Sequence, residues 1–177
     1  MTELSNFYSE VVVDASMATM LDGNAFRWFD FGDLAAGASK SYVIYIPPAP
    51  NELWFYGRAF AGGGSDMSLS IFANPTFSDT GAAMTDRIFN RNGLSSVETT
   101  AIIHQNPTIL TDGVFVDHDI SFGSPGTGNK GSHGFAASQE FPRILVPDSY
   151  ILSRVTNTGA SDSSFSYKLY WSELVGG

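Results

Sequence analysis

The stretch Ser164-Phe165-Ser166-Tyr167-Lys168-Leu169-Tyr170-Trp171-Ser172 alternates with a period of two. Phe165, Tyr167, Leu169 and Trp171 fall on one side of an extended chain. Ser164, Ser166, Lys168, Tyr170 and Ser172 fall on the other. Successive strand residues point to opposite faces, so this is a strand with one face in a core and one toward water. That is the habit of antiparallel sheets.

Working back from this strand, the same pattern recurs in short runs. Lys40 to Ile46 sets Tyr42, Ile44 and Ile46 against Ser41, Val43 and Tyr45, and the run Pro47-Pro48-Ala49-Pro50 then stops it. Glu52 to Phe60 carries aromatics on both sides, with Trp54, Tyr56 and Phe60 opposing Leu53 and Phe55, and reads as an interior strand. Met67 to Ala73 sets Met67, Leu69 and Ile71 against Ser68 and Ser70. Further strands are expected at Phe26–Phe31, Val97–His104, Val114–Phe122, Phe141–Val146 and Tyr150–Asn157. Turn residues separate them at Asp22-Gly23, Gly62-Gly63-Gly64-Ser65, Asn92-Gly93, Asp112-Gly113 and Asn157-Thr158-Gly159, where Gly and Asn tolerate positive φ. No segment sustains a helical period, and Thr80 to Asn90 has room for one short helical turn. The expectation is an all-β, antiparallel β-sandwich with jelly-roll topology over residues 26–177, behind an N-terminal extended arm of residues 1–25.

Composition narrows the function. A chain of 177 residues suffices for one domain with a substantial core. Its net charge of −9 gives it no electrostatic reason to hold nucleic-acid phosphates, and no Lys/Arg cluster marks a membrane surface. Charged residues are only 15% of the chain, against about 25% in typical domains, so a partner or neutral polar side chains must cover the rest. There is no cysteine, which excludes disulfides and thiolate metal sites. Met1 to Met20 carries Glu3, Glu10 and Asp14 without a basic segment leading into an apolar run, and reads as an arm rather than a signal peptide. Within it Phe7, Tyr8, Val11, Val12 and Val13 are candidate assembly contacts, able to pair with a sheet edge of this chain or of a neighbour. The Gly/Ser-rich stretch from Gly123 to Ala137, with Phe135, reads as a long exposed loop or as a second arm that orders on a neighbour.

The search for chemistry leaves no cofactor, metal or catalytic residue. Asp117-His118-Asp119 resembles a metal motif, but alternation puts both Asp on one face and His118 on the other. No second cluster supplies the missing ligands. Serines are abundant without a Gly-x-Ser-x-Gly elbow. Gly62-Gly63-Gly64 is followed by neither a helix nor a Lys, as a phosphate loop requires. Trp28, Trp54 and Trp171 fit core filling better than a sugar platform. The chain reads as a structural protein and not an enzyme.

The order of several motifs carries a resemblance. It begins with Glu52-Leu53-Trp54-Phe55-Tyr56-Gly57 and Ser68-Leu69-Ser70-Ile71-Phe72-Ala73-Asn74-Pro75. Phe89-Asn90-Arg91-Asn92 and Pro107-Thr108-Ile109-Leu110-Thr111-Asp112-Gly113 follow. Leu145-Val146-Pro147-Asp148-Ser149-Tyr150 then leads into the strand ending Thr156-Asn157, and Leu169-Tyr170-Trp171-Ser172-Glu173 closes the chain. In this order the middle and C-terminal two thirds resemble small β-sandwich virion proteins of tailed bacteriophages, above all head decoration (cement) proteins and related head- or tail-associated proteins. The resemblance implies a virion structural protein, made in the host cytoplasm, that binds the outer capsid surface as a homotrimer. Its partners would be the major capsid protein and copies of itself. A tail- or fibre-associated protein that binds a receptor or glycan is the alternative. The family implies no catalytic residues.

Overall fold

The computed structural model describes residues 22–49, 52–123, 135–136 and 143–174. Two antiparallel sheets pack face to face. The first contains β1 (Ala25–Leu34), β3 (Glu52–Gly63), β7 (Ile88–Asn90), β11 (Phe135–Ala136), β12 (Arg143–Ile144) and β14 (Ser163–Leu174). It runs β11-β3-β14-β1-β7, with β12 also on β3. The second contains β2 (Ser39–Ile46), β4 (Met67–Ala73), β6 (Ala82–Ala83), β8 (Ile102–Gln105), β10 (Val114–Ser121) and β13 (Ser149–Asn157), in the order β10-β4-β13-β2-β8-β6. A two-stranded ribbon, β5 (Thr76–Asp79) with β9 (Thr108–Thr111), stands apart. A 3₁₀ turn at Thr85–Arg87 falls in the stretch with room for one.

The C-terminal strand behaves as its alternation requires. Phe165, Tyr167, Leu169 and Trp171 are all buried, and β14 lies between β3 and β1. The core closes over it with Phe26 and Trp28 of β1, Tyr42, Ile44 and Ile46 of β2, Met67, Leu69 and Ile71 of β4, and Val155 of β13. Each large ring buried here removes a large apolar area from water, the main favourable term in folding.

Four expectations change. Glu52 to Phe60 is an interior strand, but its faces are not those of simple alternation. Tyr170 pairs with Gly57 while Trp171 pairs with Phe55, so Tyr56 is an extra residue in a β-bulge. The bulge reverses the parity, and Phe60 joins Leu53 and Phe55 on the core side. The strand expected at Val97–His104 shrinks to Ile102–Gln105. The backbone N–H groups of Thr100 and Ala101 go instead to the buried Glu173 carboxylate, at 2.9 and 3.3 Å, and leave no ladder to build. The strand expected at Phe141–Val146 is confined to Arg143–Ile144; Phe141 and Pro142 lie outside the described residues. The first strand begins at Ala25, the last residue assigned to the arm.

The β5–β9 ribbon forms a third layer. It continues the β4–β10 ribbon past a corner where Asn74 and Gly113 take positive φ, 55° and 86°. A Cβ at Gly113 would stand 2.2 Å from the Ala73 carbonyl oxygen, so only glycine fits. The folded-back ribbon covers the outward face of the second sheet. Phe77 meets the Tyr150 ring edge-on at 4.9 Å, and Asp112 takes a bidentate pair from Arg154 at 2.5 and 2.7 Å. Between Tyr150 and Arg154 on that face lies Leu152, opposite Val43, and both are fully buried although they point away from the main core.

The Arg154 hydrogen bonds hold the Asp112 carboxyl below the usual carboxylate range. A depressed folded-state pKa adds stability above the unfolded value, and this is lost as pH falls through the folded one. Acidification below the ordinary carboxylate range should therefore loosen the ribbon. Asp112→Asn should do so at neutral pH, with faster amide hydrogen exchange at residues 76–79 and 108–111. The cost to global stability should be about 1 kcal/mol or less, because the pair is partly exposed.

Candidate functional site

Of the charged groups turned inward, Asp30 and Arg58 have charged partners and Glu173 is held by neutral donors. Asp30 on β1 is fully buried and accepts from Lys40 Nζ at 2.6 Å, Tyr42 Oη at 2.6 Å and Arg87 Nη1. Burial lowers the Lys40 pKa. Burial also pushes the Tyr42 and Tyr167 phenols far above their usual value, so both stay neutral donors. Trp28 lies edge-on to Tyr42 and Tyr167, with centroids 5.0 and 5.5 Å apart, and the whole group is sealed. A buried carboxylate with two cations and a phenol has its lone pairs occupied, and it holds the sheets rather than presenting a reactive oxygen.

Asp117-His118-Asp119 divides as alternation requires. A bulge at Val116 turns Asp117 and Asp119 inward, opposite Ile71 and Leu69. There they take Arg58 of the first sheet, Nη2 to Asp117 at 3.0 Å and Nε to Asp119 at 2.6 Å. Burial disfavours the Arg58 charge, but the hydrogen bonds and charge of Asp119 and Asp117 outweigh it and the pKa rises. His118 points outward and bonds Ser70 Oγ through Nδ1 at 3.0 Å. The motif is an inter-sheet clasp, a role that sequence reasoning did not assign because Arg58 is distant in the chain. His104 bonds the Gly81 carbonyl oxygen at 3.2 Å; His133 lies outside the described residues. Among the described residues no group of three His, Asp or Glu stands close enough to hold a metal ion.

Glu173 is the other buried acid. It accepts from Thr99 Oγ1, from Thr100 N and Oγ1, from Ala101 N and from Trp171 Nε1 at 3.2 Å. Backbone N–H groups and neutral side chains satisfy this carboxylate, and it pins the segment before β8 against β14.

Two exposed apolar surfaces stand out among the described residues. The first is β10, which with β6 forms the edges of the second sheet among the described residues. Val114, Phe115 and Val116 are 67%, 59% and 45% exposed, and Ile120 and Phe122 also face solvent. A sheet edge with apolar side chains is a template for another chain. The second is the outward face of the first sheet, where Phe31, Phe29 and Phe89 stack nearly parallel, with centroids 6.2 and 5.5 Å apart. Arg27 lies over Phe89 and Arg87 over Phe31. Neither surface was singled out from sequence. The exposed Phe residues read like core residues until strand parity places them outside.

Of the assembly contacts expected from sequence, Phe7, Tyr8, Val11, Val12 and Val13 lie outside the described residues. Phe135 sits in β11, paired with Phe60 of β3, so this part of the Gly-rich segment belongs to the chain's own first sheet. No family model and no curated protein matches the chain.

Asp30→Ala would remove the shared partner of Lys40, Arg87 and Tyr42. Because both cations reach solvent, the main loss is the acceptor of the buried Tyr42 hydroxyl, and the cost in a urea or thermal denaturation should be about 1–3 kcal/mol. A loss under about 1 kcal/mol would contradict the pairing described for Asp30.

Proposed function

We propose that the chain is a structural protein of a tailed-bacteriophage virion, a decoration protein that binds the outer capsid surface and stabilises the shell. The observation that carries this reading is the apolar, outward-facing edge strand β10, with Val114, Phe115 and Val116 exposed. An edge of this kind is suited to pairing with another protein. The inward charges support it from the other side. Asp30, Arg58 and Glu173 each have a structural partner, so the reading assigns no catalytic residue and no cofactor.

Strand order supports a jelly roll. With β5 to β9 set aside, the strands are β1, β2, β3, β4, β10, the position held by the two-residue β11 and β12, β13 and β14. The first sheet then reads first–eighth–third–sixth and the second reads second–seventh–fourth–fifth. That is the double Greek-key order of a fold common in viral capsid and lectin domains. The proposed partners are the major capsid protein and sister copies in a homotrimer, and the proposed location is the capsid surface.

Two measurements test the reading. Quantitative mass spectrometry of purified particles should find this chain in numbers comparable to the coat lattice. A handful per particle would move it to the tail, as a receptor- or glycan-binding component, and absence would refute the virion setting. Deleting residues 1–20 should abolish shell binding while near-ultraviolet circular dichroism of the sandwich stays unchanged. Full occupancy by the truncated chain would exclude the arm as the docking element.

A further inference from the structure

Among the described residues, the outward face of the first sheet collects the cations without a carboxylate in ion-pair range. Lys40, Arg58, Arg87 and Arg154 are each ion-paired. Arg27, Arg91 and Lys168 are exposed, and among the described residues none has a carboxylate within ion-pair distance. All three share one face. Arg27 stands between Phe89 and Tyr170 in the register, Phe29 stands opposite Lys168, and the Arg91 guanidinium lies 5.9 Å from the Tyr170 ring centroid. The face continues over Ala59 and Ala61 of β3, opposite Lys168 and Ser166, where small side chains permit close approach. Exposed Phe31 and Phe89 supply its apolar part. Arg and aromatic residues are the types enriched at the centres of protein interfaces.

The exposed carboxylates of this face, Asp33 and Glu52, lie toward its two ends, opposite Ser164 and Leu174, so its centre is positive on a chain of net charge −9 and complements a partner of opposite sign. Two such faces would repel one another, which disfavours a like-on-like contact. The complement lies on the same molecule. At one end of the sandwich, Thr158 N and Gly159 N donate to the Asp66 carbonyl oxygen at 2.9 and 3.1 Å and hold two turns together. Asp66 and Asp162 are exposed there. The Asp66 carboxylate accepts from Gly123 N at 2.7 Å, next in the chain to Phe122, which is 62% exposed.

We propose that copies of this chain dock head to tail, the basic aromatic face of one against the acidic end of the next. Arg27, Arg91 and Lys168 meet Asp66 and Asp162, around an apolar contact of Phe31 and Phe89 with Phe122. This rests on the assembly reading above and names the contact between copies that it calls for. A head-to-tail contact joins two different patches and closes into a ring when its rotation permits. Its charges lie at the surface, so salt weakens it.

Sedimentation velocity on the full chain, across protein and salt concentration, tests the contact. The wild type should associate at low salt and dissociate as salt rises. Arg27→Glu/Lys168→Glu should sediment as a monomer, and so should Asp66→Lys/Asp162→Lys. All four residues are exposed, and circular dichroism verifies that both variants fold. An equimolar mixture of the two variants should restore a complex that neither forms alone. A wild type that stays monomeric throughout, or charge-reversed faces that leave association unchanged, would overturn the contact. A monomer that still coats particles in large numbers would overturn this contact alone. Salt-sensitive association of a chain absent from particles would overturn the virion reading alone.

Discussion

Two phenols buried between the sheets set the terms for the rest of the structure. Tyr42 reaches from the second sheet to Asp30 on the first, at 2.6 Å. Tyr167 reaches from the first sheet to Ser153 on the second, at 2.9 Å. Their rings and Trp28 pack against one another across the same gap. A buried hydroxyl without a partner costs about 1–3 kcal/mol, so the sheets must keep the spacing that satisfies both. Lys40 and Arg87 at the rim supply the other partners of Asp30. The Trp28 indole N–H is the one buried side-chain donor among the described residues left without an acceptor, a cost offset by the area its ring buries.

This constraint explains which parts of the fold were legible in the sequence. Period-two alternation is a property of single strands, so β4, β13 and β14 read correctly and to within a residue or two. Glycine and asparagine marked the corners, and Asp112-Gly113 became the hinge of the third layer. What alternation cannot carry is pairing. The Tyr56 bulge exists because β3 and β14 must stay in register, and nothing within residues 52–60 signals it. The failure of the 97–101 strand depends on Glu173, more than seventy residues away. The third layer also explains how Val43 and Leu152, on the outward face, are buried like core residues.

Little of the candidate surfaces was legible in the sequence. Asp117 and Asp119 were placed on one face, but their partner Arg58 comes from the opposite sheet. The exposed Phe31, Phe89 and Phe115 were indistinguishable from core aromatics by composition alone. Once the inward charges are accounted for, what faces outward is an apolar edge and a basic aromatic face on an otherwise acidic chain. Both are features of a surface that meets other proteins, and they are the physical basis for reading the molecule as an assembly component.

A cryo-electron microscopy reconstruction of intact particles tests that account most directly. It should show this sandwich repeated on the outer surface of the head, with the β10 edge or the Arg27–Lys168 face buried against a neighbouring subunit. A sandwich seated on the shell with both surfaces open to solvent, or density for it nowhere on the head, would contradict the account.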